Sequence, residues 1–195
     1  VSAESIPVGK TWYWGGVLQQ GRDLVDLGGK LVNPHTGWRW GVGVERGIDK
    51  RTSVAIGAQS FVLADRRRNY LEATLRRAIG PMLFELGGAH QFGRGGGSVI
   101  EGQMLGRIGR FNIKGEALWV FGGYTSEIVT PIDRRAFALG IDTDLKLFGW
   151  SAPLQGGIRQ RRQRDGTNVN EWYARTSLQL RGLSLTAELD SKIGR

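Results

Sequence analysis

Apolar and polar residues alternate along almost the whole chain with a period of two, a period that admits strands and rejects helices. In Trp38-Arg39-Trp40-Gly41-Val42-Gly43-Val44-Glu45 one face reads Trp, Trp, Val, Val and the other Arg, Gly, Gly, Glu. Phe111, Ile113, Ala117, Trp119 and Phe121 alternate with a face that begins Asn112, Lys114, Glu116. Phe137, Leu139, Ile141, Leu145 and Leu147 alternate with Gly140, Asp142, Asp144 and Lys146. The pattern predicts eleven strands, at 11–20, 36–45, 52–62, 69–79, 81–92, 97–108, 110–122, 135–147, 149–161, 170–181 and 183–192. Most are near the roughly 9–11 residues with which a tilted strand crosses a bilayer, and longer than the globular norm of about 5–6.

Hydropathy alone misses this. The longest apolar run, Ala117-Leu118-Trp119-Val120-Phe121, falls far short of the roughly 18 residues of a membrane helix. Strands that show one face to lipid and one to water average out as polar. The 31 Gly among 195 residues, more than twice the usual share of about 7%, suit bends and close backbone approach in an all-β protein.

The connections carry a second pattern. Tight turns are expected at Arg46–Arg51, Gly80, Gly109, Phe148-Gly149 and Gly182. Longer polar links are expected at Gly21–His35, Ala64–Arg68, Gly93–Gly96, Gly123–Arg134 and Arg162–Val169. Short and long alternate, as they do where turns lie on one side of a membrane and loops on the other. With the long links outside, Trp12, Trp14 and Trp150 fall at the inner ends of strands. Trp38, Trp40, Trp119 and Trp172 fall toward the outer rim, so two aromatic girdles are expected.

Net charge is +9, yet the charges divide unevenly. On the polar face of the strands, Arg39, Arg76, Arg107, Lys114, Lys146, Arg159, Arg161 and Arg175 are nearly matched by Glu45, Glu72, Glu85, Glu101, Glu116, Asp142, Asp144, Glu171, Glu188 and Asp190. Neighbouring strands can pair such charges across the ladder, so this face reads as an ion-paired lumen lining and not an anion filter. The positive surplus is assigned to the links, at Arg66, Arg67, Arg68, Arg94, Arg134, Arg135, Arg162 and Arg164. There the planar guanidinium suits phosphates or anionic glycan.

Catalytic and cofactor signals are thin. The chain has no Cys and two His, His35 and His90, leaving no thiolate chemistry and little for a metal site. Gly93-Arg94-Gly95-Gly96-Gly97-Ser98 lacks the Gly-Lys-Ser/Thr ending and the following helix of a phosphate-binding loop. Asp142 and Asp144 are expected to pair with Lys146 and cross-strand Arg. His90, on the apolar stripe near Ser98, has no evident orienting partner, so no enzyme activity is expected. Trp38-Arg39-Trp40 puts its rings on the apolar face, away from the charges, which argues against nucleic acid.

Through segments such as Ile100-Glu101-Gly102-Gln103-Met104 and Arg175-Thr176-Ser177-Leu178-Gln179-Leu180, the chain resembles bacterial outer-membrane β-barrels, nearest in character to porins and exopolysaccharide-secretion barrels. The resemblance implies an antiparallel up-and-down transmembrane barrel of twelve or more strands in the bacterial outer membrane, without cofactor, touching membrane lipid and lipopolysaccharide. It implies a passive pore or terminal conduit for small polar solutes or glycan. The alternatives are a structural, anchoring barrel with an ion-paired lumen and basic outer loops, and a soluble ligand-binding sheet. Eleven strands is odd, and the end Asp190-Ser191-Lys192-Ile193-Gly194-Arg195 lacks the terminal aromatic of such barrels. Residues 1–195 are therefore expected to form one barrel domain, incomplete at the C-terminus and open to extension at the N-terminus, completed by a longer parent or a partner chain.

Overall fold

A computed structural model describes residues 7–20, 24–25, 31–32, 37–63, 66–125, 133–147, 150–180 and 183–194. They are all-β: β1 (Thr11–Gln20), β2 (Leu24–Val25), β3 (Leu31–Val32), β4 (Gly37–Asp49), β5 (Thr52–Leu63), β6 (Arg66–Ile79), β7 (Met82–Phe92), β8 (Gly97–Ile108), β9 (Phe111–Gly122), β10 (Asp133–Leu147), β11 (Trp150–Gln163), β12 (Asn168–Leu180) and β13 (Leu183–Gly194). Eleven form one up-and-down antiparallel sheet in the order β1-β4-β5-β6-β7-β8-β9-β10-β11-β12-β13. β2 and β3 make a separate small hairpin inside the 21–35 link, which the alternation does not announce.

The eleven long strands sit where the period of two puts them, but several run further. β4 continues to Asp49, across an irregularity between Gly47 and Asp49, so its turn is only Lys50-Arg51. β6 begins at Arg66, β10 at Asp133, and β11 ends at Gln163. Arg66, Arg67, Arg68, Arg134, Arg135 and Arg162 therefore lie in strands, and of the expected basic links only Arg94 and Arg164 lie in connections. Just two residues separate β5 from β6, which breaks the strict short–long alternation there. The physical reason is that polarity at a strand end marks where the apolar stripe stops. The backbone ladder does not depend on it and continues. The links at 21–23, 26–30, 33–36, 64–65, 126–132, 148–149 and 181–182 lie outside the described residues.

The chain divides into two compact units, one of Val1–Arg76, Gly87–Ile100 and Val120–Thr130, the other of Arg77–Leu86, Glu101–Trp119 and Pro131–Arg195. In the first, register pairs Trp40 with Val17 and Ser60, and Val42 with Gly15 and Ala58, on one face. The other face carries Gly43 opposite Trp14 and Gly57, and Glu45 opposite Trp12 and Ala55. In the second unit Ile141 pairs with Ile113 and Gly156, and Leu139 with Gly115 and Ile158, so an apolar face is continuous across β9, β10 and β11. Its large side chains, among them Phe137, Ile141, Leu154, Ile158 and Trp172, are exposed.

The favoured two-residue hairpin turns take a positive φ at their first position, which Gly supplies without strain. Gly80 (φ 57) and Gly109 (φ 61) fill that position between β6 and β7 and between β8 and β9. A Cβ at Gly109 would meet nothing within 4 Å, so its only cost is backbone conformation. Gly109→Ala is expected to lose about 1–2 kcal/mol in a denaturant titration. Gly16→Ala, in equally open space within β1 and without a positive φ, is expected to lose nothing measurable.

Candidate functional site

The residues with chemistry gather on the polar face. In the first unit the Glu45 carboxylate accepts from Ser53 Oγ at 2.9 Å and pairs with Arg76 Nη1 at 3.2 Å. Gln59 Nε2 donates to the Glu72 carboxylate. The Arg39 guanidinium lies 4.9 Å above the Phe61 ring, and Phe61 stacks on Tyr70 with centroids 5.0 Å apart. Tyr124 meets Tyr70 edge-on at 5.9 Å.

This part of the polar face is covered. Tyr70 Oη donates to the Thr125 carbonyl at 2.6 Å, and Thr125 N–H donates to Gln91 Oε1 at 2.9 Å. Gln91 is 1% exposed, and Phe61, Tyr70, Val99, Val120 and Tyr124 are buried with it. The chain at Tyr124-Thr125 thus folds back on the strands and turns a polar face into a small core. Alternation cannot show this, because Gln91 and Tyr124 come from different elements and meet only in three dimensions.

In the second unit the charges form a ladder. Glu171 receives Arg161 Nη2 at 2.8 Å, Lys192 Nζ at 3.5 Å and Arg159 Nη1 at 4.0 Å. The register places Arg159, Glu171 and Lys192 side by side on β11, β12 and β13. Two same-face positions further on, past Tyr173 and Asp190, Arg175 pairs with Glu188. Lys114 and Glu116, two apart on β9, pair at 2.7 Å. Asp142 accepts from its register partner Asn112 at 2.7 Å, in place of the expected Arg. Asp144 lies two residues on, opposite Pro153. The Lys146 side chain lies outside the described residues. Arg107 Nε donates to the Gly109 carbonyl at 3.0 Å, bracing its turn, and Glu85 and Glu101 each interact with a neighbour.

The seven Trp do not form one outward set. Trp38, Trp40, Trp119 and Trp172 lie on the apolar face and are exposed. Trp12 and Trp14 lie on the polar face, because register sets them opposite Glu45 and Gly43. The Trp14 ring rests on Gly43 and Gly57, where a Cβ would collide with it. Tyr173 does the same in the second unit, spanning Gly157 and approaching Gly140. Aromatic cover over strand glycine restores contacts that the missing side chain forfeits. The Trp150 side chain lies outside the described residues.

The strand-borne arginines divide too. Arg67 Nη1 donates to the Trp38 carbonyl at 3.2 Å and to Ser60 Oγ at 3.0 Å, tying β6 across β5 to β4. Arg135 and Arg162 face each other across β10 and β11. Arg66 and Arg134 are exposed on their strands, Arg68 is half-buried, and Arg164 is exposed in the 164–167 turn. In that turn the Thr167 N–H donates to Asp165 Oδ1 at 2.9 Å and holds the Asp165 carboxyl below its ordinary value.

His90 Nδ1 and Ser98 Oγ are 2.9 Å apart, and the Phe92 ring lies edge-on to His90 at 4.7 Å. Among the described residues, no group of three or more His, Asp or Glu is placed to hold a metal, and no helix is long and apolar enough to cross a membrane. No protein family, no curated protein and no solved structure matches the chain.

Because Glu171 faces three cations, its loss leaves them mutually repelling. Glu171→Gln is expected to cost about 1–2 kcal/mol in a denaturant titration, between the values of exposed and buried pairs. Glu188→Gln, which leaves one cation in a more exposed position, is expected to cost less. Equal losses would show that the convergence of cations on Glu171 has no energetic consequence.

Proposed function

We propose that the chain is the membrane-spanning wall of a bacterial outer-membrane β-barrel, acting as a passive pore or terminal conduit for small polar solutes or glycan. One observation carries this reading: long strands expose large hydrophobic side chains on one face and ion-paired charges on the other. Trp40, Val42, Ile56, Leu71 and Leu75 in one unit, and Phe137, Ile141, Leu154 and Ile158 in the other, are all exposed. Apolar surface on this scale is costly in water and favourable in hydrocarbon. Lipid also demands that every backbone group be satisfied, which the antiparallel ladder does for the strands between β1 and β13, the two ends of the sheet at which a barrel would have to close. Strands of 12–15 residues exceed the roughly 9–11 that span a bilayer, and their polar ends extend into the headgroups.

The anchoring reading has its own support. The Phe61–Tyr70–Gln91–Tyr124 cluster covers part of the polar face, which in a barrel would narrow the lumen. The two roles separate in planar bilayers. Purified protein is expected to insert and give stepwise, weakly ion-selective conductance, since the polar face is nearly charge-balanced. Insertion without conductance favours the anchor. A chain that remains monodisperse without detergent and ignores bilayers contradicts both and favours a soluble sheet.

A further inference from the structure

We propose that the apolar face of β9–β12 carries a binding site for a phosphorylated amphiphile, with its phosphate between Arg135 and Arg162 and its acyl chains on the strands beyond. The proposal rests on the membrane reading and names the ligand of that surface. Register places Trp119, Arg135, Arg162 and Asn168 in one cross-strand row. The next row is Ala117, Phe137, Gln160 and Asn170. After it come Gly115, Leu139, Ile158 and Trp172, then Ile113, Ile141, Gly156 and Ala174. Same-face rows along a strand are about 7 Å apart. One face therefore passes from guanidinium through carboxamide to hydrocarbon within a few rows. An amphiphile has the same order of phosphate, polar linker and chain.

The upper rows enclose a recess of about 440 Å³, with Trp119 and Phe137 as walls and Gln160 and Asn170 on the chain side of the arginines. No carboxylate lines it. Below lies an apolar groove of about 480 Å³, floored by Gly156 and Gly157 and bordered by Leu139, Ile158 and Trp172. Like charges directly opposite on a ladder destabilise each other. Among the described residues no acidic side chain pairs with Arg135 or Arg162, while on the polar face of the same strands Arg159 and Arg161 share Glu171. A phosphate between the pair would supply the missing counter-charge through bidentate hydrogen bonds. Arg67, by contrast, is held by Ser60 Oγ and the Trp38 carbonyl.

The test uses the full chain folded in neutral detergent, titrated with phosphatidic acid, with diacylglycerol of the same chains and with glycerol phosphate, read by native mass spectrometry. Phosphatidic acid is expected to bind well above the other two. Arg135→Gln with Arg162→Gln should weaken it about tenfold or more. Arg135→Lys with Arg162→Lys should retain part of the affinity, and Lys50→Gln, in the β4–β5 turn, all of it. Removing two opposed like charges is not expected to harm folding, and thermal unfolding of each variant checks this. Equal binding of diacylglycerol, equal binding of glycerol phosphate, or full affinity in the double Gln variant would each overturn the site. If these occur in protein that inserts into bilayers, the membrane reading stands and only the site falls. If the wild-type chain does not insert, both fall.

Discussion

The antiparallel hydrogen-bond ladder decides which residues share a face, and the chemistry of the protein follows from that sorting. Each strand between β1 and β13 satisfies its backbone through two neighbours, so its side chains are free to be sorted by environment. On one side Ile141 aligns with Ile113 and Gly156; on the other Glu171 aligns with Arg159 and Lys192. A slip of one residue anywhere would exchange these sets. Charge pairing and hydrophobic matching therefore reinforce the same register, and neither would be satisfied in another.

Glycine enters that scheme in two ways. At Gly80 and Gly109 it supplies a backbone conformation. At Gly43, Gly57 and Gly157 it supplies absence: the missing side chains leave beds for Trp14 and Tyr173. Aromatic residues on the polar face would otherwise stand out among charged neighbours. Placed over glycine, they cover backbone that would otherwise be bare.

Much of this architecture could be read from residue order. Strand positions were legible because alternation persists for ten residues or more, as in Phe111 to Phe121. The partnership of Arg175 with Glu188 was legible in kind, since opposite charges recur on adjacent polar faces. Three things were not. Arg66–Arg68 have the polarity of a loop yet lie in β6, because that polarity marks only the end of the apolar stripe and not of the ladder. Trp12 and Trp14 read as outward because alternation within a strand does not say which set faces which side; that needs the register against Glu45 and Gly43. The Gln91–Thr125 and Tyr70–Thr125 hydrogen bonds join residues 34 and 55 apart in sequence, beyond the reach of any local pattern.

If one face sees lipid and the other does not, two tryptophans report the difference directly. Trp40 lies on the apolar face, and Trp14 lies on the polar face over Gly43 and Gly57. Variants retaining only one of these Trp, reconstituted into liposomes whose acyl chains carry bromine, report lipid contact by fluorescence quenching. Strong quenching of Trp40 and little of Trp14 is expected. Equal quenching of the two, or quenching of Trp14 alone, would contradict that arrangement.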